Sequence, residues 1–142
     1  MDNEEMTTLK VELEFCFEKR RKETFKSWVF NDKVNCSAAK LAEAGFIFIG
    51  NRHEPDSVKC FLCDKHLDSW DEDDDPWTEH LKHSPGCSFV KLDKPEKTLT
   101  LMEFINIRNE LIENIFKKIF KSRKDQVDEL IDECVDLLST LK

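Results

Sequence analysis

Helix breakers are few and unevenly spread: the three glycines (Gly45, Gly50, Gly86) and four prolines (Pro55, Pro76, Pro85, Pro95) all precede residue 96. The chain changes character there, from a turn-rich region to one that nothing interrupts. No uninterrupted apolar run of about 18 residues occurs, and the opening MDNEEMTTLK lacks an apolar h-region, so a protein neither secreted nor membrane-spanning is expected. Basic residues are in deficit, 22 against 30 acidic ones, for a formal charge of -8. A nucleic-acid binder displaces counterions with a concentrated basic surface, so no direct nucleic-acid binding is expected. A glycine-rich phosphate loop is missing, and the clustered carboxylates lack the rigid separation that glycoside chemistry demands. The chain is therefore not expected to be an enzyme.

With 39% hydrophobic and 37% charged residues, the 142-residue chain suits a small core plus an extended element better than one compact ball. The organisation expected is an N-terminal arm over 1–15, a compact domain over 16–92, a linker over 93–99 and a long helix over 100–142. Residues 9–17 read two ways: Leu9, Val11, Leu13, Phe15 and Phe17 alternate as in a strand, while Leu9, Leu13 and Phe17 recur as in a helix. A helix is predicted from Phe17 to Phe30. Ser37 can cap the next one, AAKLAEAGF, which Gly45 ends. Residues 46–49, 58–61 and 66–70 are candidate strands. Asp75-Pro76 then opens a helix that carries Trp77, His80, Leu81 and His83 and stops near Pro85-Gly86.

After Pro95, Thr100 and Glu103 have the spacing of a capping box, and apolar residues recur at Leu101, Phe104, Ile105, Ile112, Ile115, Phe116, Ile119 and Phe120 and on to Leu141. About 42 residues at 1.5 Å each would span roughly 60 Å, more than a domain this small can cover. One long helix packing distally against helices of another chain is the preferred reading. Two shorter helices with a turn near 122–125 are the alternative.

Six cysteines are present, and in a reducing compartment clustered thiols hold metal more often than they form disulfides. The pattern C60-x2-C63-x16-H80-x6-C87 offers four sulfur and imidazole ligands, the set zinc prefers. Four protein ligands leave no position for water, so one structural zinc ion is expected. His83 rivals His80, one turn away. Cys16, Cys36 and Cys134 stand apart and read as small buried apolar residues. Between Asp64 and Glu79 eight acidic residues accompany a single lysine, Lys65. Such a field attracts basic peptides, and the lone lysine could meet a phosphate.

The cysteine and histidine spacing and its surroundings resemble the BIR domain of the inhibitor-of-apoptosis proteins. The resemblance rests on R21-x2-T24-F25-x2-W28, LAEAGF ending at Phe46, D56-S-V-K-C60-F-L-C63, L67-x2-W70, D74-D-P76 and H80-x6-C87, with Phe89 and Val90 following. It covers about residues 18–90. It implies an α+β fold, a small zinc-binding domain of three antiparallel strands with short helices, followed here by a long C-terminal helix. One BIR followed by such a helix is similar to the single-BIR members that serve in the chromosomal passenger complex.

By that resemblance the domain reads a histone tail that begins Ala-Arg and carries phosphothreonine at its third position. Lys65 and His83 would face the phosphate. Asp68 and Asp74 would hold the amino terminus and the arginine, Leu67 and Trp70 would wall the alanine pocket, and Glu54 would add negative charge. His66 stands in the same groove where those members carry an acidic residue. The long helix would bundle with borealin-like and inner-centromere-protein-like helices through Ile112, Ile115 and Ile119, bringing an Aurora-type kinase indirectly. Leu9, Leu13, Leu99, Leu101, Phe104 and Ile105 would form a homodimer surface when the protein is free. The localisation implied is nucleus, centromere, spindle midzone and cytoplasm. The competing reading is a BIR that binds caspases or Ala-start antagonist peptides. Ser37 is followed by Ala38, so the proline-directed mitotic phosphorylation signal of those members is absent.

Overall fold

The structure, a computed structural model, describes residues 2–141. Asp2 and Glu5 form a reciprocal capping box that starts α1 (Asn3–Glu14). The helical period thus prevails over the alternating one at residues 9–14, because Leu9 and Leu13 share one face and pack on the core. Val11 and Phe17, which the strand pattern would bury, remain 47% and 46% exposed.

The helix expected from Phe17 to Phe30 is only α2 (Glu18–Glu23). It stops because Thr24 turns back: its hydroxyl donates to the Arg21 carbonyl at 2.6 Å and accepts from the Phe48 N–H at 2.9 Å. Phe25 and Trp28 are thereby released from the helix to stack edgewise on each other and pack against Phe48. Ser37 caps α3 (Ala38–Glu43) as predicted. Gly45 follows at φ +93, where an added Cβ would lie 2.8 Å from the Phe89 ring. Both the left-handed backbone and the close approach require glycine there.

Three antiparallel strands follow, β1 (Phe46–Phe48), β2 (Val58–Cys60) and β3 (His66–Leu67), in the order β1-β2-β3. The register pairs Phe46 with Cys60, Phe48 with Val58, and Val58 with Leu67. Phe46, Val58 and Cys60 are all fully buried, so this row builds the core. The third strand ends sooner than the expected residue 70 because Ser69 adopts φ 60 and breaks the extended path. Asp75 caps α4 (Pro76–His83), accepting from the Thr78 N–H at 2.7 Å with proline in the first turn.

Thr100 and Glu103 form the predicted capping box of α5 (Leu101–Thr140), a single helix with no turn at 122–125. Its first half belongs to the core: Ile107, Leu111 and Ile115 are buried, and the Asn114 amide donates to the Leu62 carbonyl at 3.1 Å. Arg123 pairs with Glu5 of α1 at 2.6 Å. Beyond that contact Val127, Leu130, Ile131, Leu137, Leu138 and Leu141 lie open to solvent.

Candidate metal centre and peptide groove

The end of β2 and the turn after it bring Cys60 and Cys63 together. The N–H groups of Leu62 and Cys63 both point at the Cys60 sulfur, at 3.4 and 3.5 Å, which wraps the chain into a knuckle. Asp64, at φ 59, reverses the chain into β3. His80 arrives from α4, and Cys87 after the Pro85-Gly86 bend. The four ligand atoms lie within 4.8 Å of one another. Cys60 Sγ stands 4.0 Å from Cys87 Sγ, and Cys63 Sγ stands 3.6 Å from His80 Nε2. A tetrahedron with bonds of about 2.3 Å to sulfur and 2.0–2.1 Å to nitrogen has edges of roughly 3.6–3.8 Å, so this cluster can coordinate one metal ion with little adjustment.

The supporting contacts suit that role. His80 Nδ1 donates to the Ala44 carbonyl at 2.7 Å, which fixes the tautomer and leaves Nε2 free as a ligand. Ser84 Oγ donates to the Cys63 sulfur at 3.3 Å. Cys60 and His80 are fully buried. Burial pushes the Cys60 thiol well up, while hydrogen bonds from Cys60 and Cys87 push the Cys63 thiol down. For His80, burial opposes the charged form, yet its sulfur neighbours Cys63 and Cys87 outweigh it and raise the imidazole to about 9. Such a cluster stabilises positive charge at its centre. The rival ligand His83 lies outside it, exposed and paired with Glu79 at 3.2 Å. Cys16 and Cys36 are buried as expected, but Cys134 is exposed on α5, a correction that follows from the uncovered distal helix.

A buried arginine braces the same centre. Arg21 donates from Nε to the Ala42 carbonyl at 2.8 Å, and from Nη1 to those of Phe15 and Cys16 at 2.9 and 3.1 Å. Its guanidinium carbon sits 4.7 Å from the Phe61 ring centroid and 5.3 Å from that of Phe89. Burial lowers its pKa to about 10, so it stays charged at neutral pH. One residue thus ties α2 to α3 and to the aromatic wall behind the cysteines.

Beside the cluster, β3 and α4 enclose an open cavity of about 150 Å³ lined by Leu67, Asp68, Ser69, Trp70, Asp74, Glu79 and His83. Five of the eight predicted peptide-binding residues meet here: Leu67, Asp68, Trp70, Asp74 and His83. Lys65 and His66 are exposed at β3 but do not line the cavity, and Glu54 lies apart on the turn closed by Asn51. Trp70 is held by its N–H, which donates to Asp56 at 3.0 Å, and its ring meets Phe46 edge-on. Among the described residues its buried indole Nε1 has no hydrogen-bond partner. Asp74 accepts from the Asp71 N–H at 2.8 Å. Two lining residues were not anticipated, Ser69 and Glu79. The signal for Glu79 was its place four residues before His83, which puts both on one face of α4.

The predicted interface residues separate into two groups. Leu9, Leu13, Phe104 and Ile119 pack partly buried against the chain's own core, and Phe104 meets Phe17 at 5.4 Å. Ile115 is buried under α1, which corrects its assignment to a partner surface. Leu101 and Ile105 stay exposed, at 75% and 39%, and Leu99 and Ile112 are half-buried. No helix among the described residues is long and apolar enough to cross a membrane.

The profile described as "BIR: Inhibitor of Apoptosis domain" matches residues 21–91. Baculoviral IAP repeat-containing protein 5 of Rattus norvegicus is 35% identical over 122 residues, covering 84% of this chain and 86% of that protein. Its counterpart from Cavia porcellus is 40% identical over 109 residues, covering 77% of each. Among solved structures, DIAP1 BIR1 bound to a Grim peptide is 31% identical with a TM-score of 0.45, covering 53% of this chain and 71% of that one.

Proposed function

The chain belongs to the inhibitor-of-apoptosis BIR family, close to its survivin-type members, and on that premise we propose that it is a chromosomal passenger subunit that reads a phosphorylated histone tail. Members of this family are non-catalytic scaffolds, and the buried Cys60, Cys63, His80 and Cys87 cluster fits that role, since nothing in it faces a substrate. The metal proposed for it is a single structural zinc, which joins the β2 knuckle to α4 and the turn behind it.

The observation that carries the reading is the meeting of carboxylates and an imidazole in one small groove. Asp68, Asp74 and Glu79 offer negative charge for a free amino terminus and an arginine, while His83 stands at the same cavity to meet a phosphate. Leu67 and Trp70 supply an apolar wall for a first alanine. Lys65, exposed just before β3, adds a cation as the tail leaves the cavity. Among the described residues the outer edge of β3 pairs with no strand, so an extended tail could add to the sheet beside the groove.

The open distal face of α5 fits partner helices of the borealin and inner-centromere-protein type, which would bring the kinase to centromeres. The exposed Leu101 and Ile105 fit a homodimer of the free protein. Nuclear and centromeric localisation would follow from tail binding and assembly together.

Calorimetric titration of the tail peptide with and without its threonine phosphate tests the reading. At least tenfold tighter binding of the phosphorylated form is expected, about 1.4 kcal/mol. Equal affinities would remove the roles given to Lys65 and His83. They would favour the second reading, a groove for Ala-start antagonists or caspases, which the contact of His83 with Glu79 at 3.2 Å supports because it already engages the imidazole nearest the cavity.

A further inference from the structure

Ser69 is an unusual residue for its position. It adopts φ 60, a conformation glycine takes without cost, yet it carries a side chain that lines the groove. The residue is exposed, and its hydroxyl donates to Asp68 Oδ1 at 3.0 Å. Two residues further on begins an unbroken acidic run, Asp71, Glu72, Asp73, Asp74 and Asp75. A serine followed by acidic residues has the charge pattern that a protein kinase with a basic substrate cleft selects. Thr100 has an acid three residues ahead as well, but its oxygen is taken up as the α5 cap, accepting from the Glu103 N–H at 3.2 Å.

Resting on the groove's reading as a tail-binding site, we infer that Ser69 is the acceptor of an acidophilic protein kinase and that its phosphorylation closes the groove. In that step the Ser69 oxygen attacks the γ-phosphorus of ATP. The new O–P bond forms as the bond to the β-phosphate oxygen breaks, ADP leaves, and the hydroxyl proton passes to the kinase's base. The product carries about -1.5 to -2 charges and three strong acceptor oxygens. It also lacks the hydroxyl proton that Asp68 now accepts.

This dianion would stand among Asp68, Asp74 and Glu79, where like charges repel it. The basic side chain that lines the same cavity is His83, which can donate a hydrogen bond to a phosphate, with the cation of Lys65 exposed nearby, just before β3. The new phosphate is therefore drawn to the groups that would meet the tail's phosphate. Being attached to the groove itself, it competes at an effective concentration in the millimolar range. The modified groove is filled from within.

The folded, metal-loaded full chain is incubated with ATP and a purified casein-type acidophilic kinase, the phosphate is mapped by mass spectrometry, and tail-peptide affinity is measured before and after. One phosphate at Ser69 and at least a tenfold loss of affinity are expected, for peptides with and without phosphothreonine, with metal content and unfolding midpoint unchanged. In S69A, kinase treatment should leave peptide affinity at its starting value. Phosphate found only at Thr100 or elsewhere, or unchanged binding after Ser69 is modified, would overturn the inference. A lack of preference for phosphothreonine in the unmodified protein, with Ser69 phosphorylation still abolishing binding of the plain peptide, would sink the function reading and leave this one standing.

Discussion

Asp75 shows how a single cap governs the metal cluster, because α4 carries His80 and must start at a fixed place to deliver it. The carboxylate accepts from the Thr78 N–H, and that backbone hydrogen bond holds its pKa below the usual aspartate value. A lowered folded pKa contributes stability that is present above the unfolded value of about 3.9 and is lost as pH falls through the folded one. D75A should therefore cost about 1 kcal/mol in denaturant unfolding at neutral pH. D75N should keep most of the cap but flatten the acid limb of the stability profile in the window below about pH 4. Equal acid limbs for D75N and the parent protein would show that the cap charge contributes nothing. The four ligands and this cap were legible in the sequence because their chemistry depends on short spacings. The brace made by Arg21 was visible only as part of a resemblance, since its partners Phe15, Ala42, Phe61 and Phe89 are scattered along the chain and nothing local marks them.

Elements were legible where local signals agreed and were misread where tertiary contacts cut them short. Both ends of α4 and the start of α5 follow from their caps and breakers, whereas α2 stops at Thr24 for the sake of a bond to β1 that lies 24 residues away. The long helix was readable as a helix, but its division between core and free surface was not, because periodicity shows an apolar face without showing what covers it. Ile107, Leu111 and Ile115 belong to the compact domain, with Asn114 bonded to Leu62 in the turn between Cys60 and Cys63. A chain cut after residue 121 should stay folded, with a midpoint within about 1 kcal/mol of the parent. A cut after residue 98 removes three buried aliphatic residues and should cost more than about 4 kcal/mol at roughly 1.5–3 kcal/mol each. Equal stability of the two truncated chains would place the whole of α5 outside the core.

At the scale of the whole molecule, three short strands, the short helices α2–α4 and the first half of α5 share one small core, and the Cys60, Cys63, His80 and Cys87 cluster, able to hold a metal ion, joins the β2 turn to α4 and the bend after it. The same tie sets the groove, because β3 begins directly after the Cys60–Cys63 turn and α4 presents His83 one turn beyond the ligand His80. The distal α5 extends past this body with its apolar residues Val127, Leu130, Ile131, Leu137, Leu138 and Leu141 open to solvent. The molecule's measurable heart is the metal content of the purified chain, determined by elemental mass spectrometry alongside thermal unfolding before and after treatment with a strong chelator. One zinc per chain and loss of the cooperative transition on chelation are expected. A chain without stoichiometric metal that keeps its transition under chelation would contradict the account.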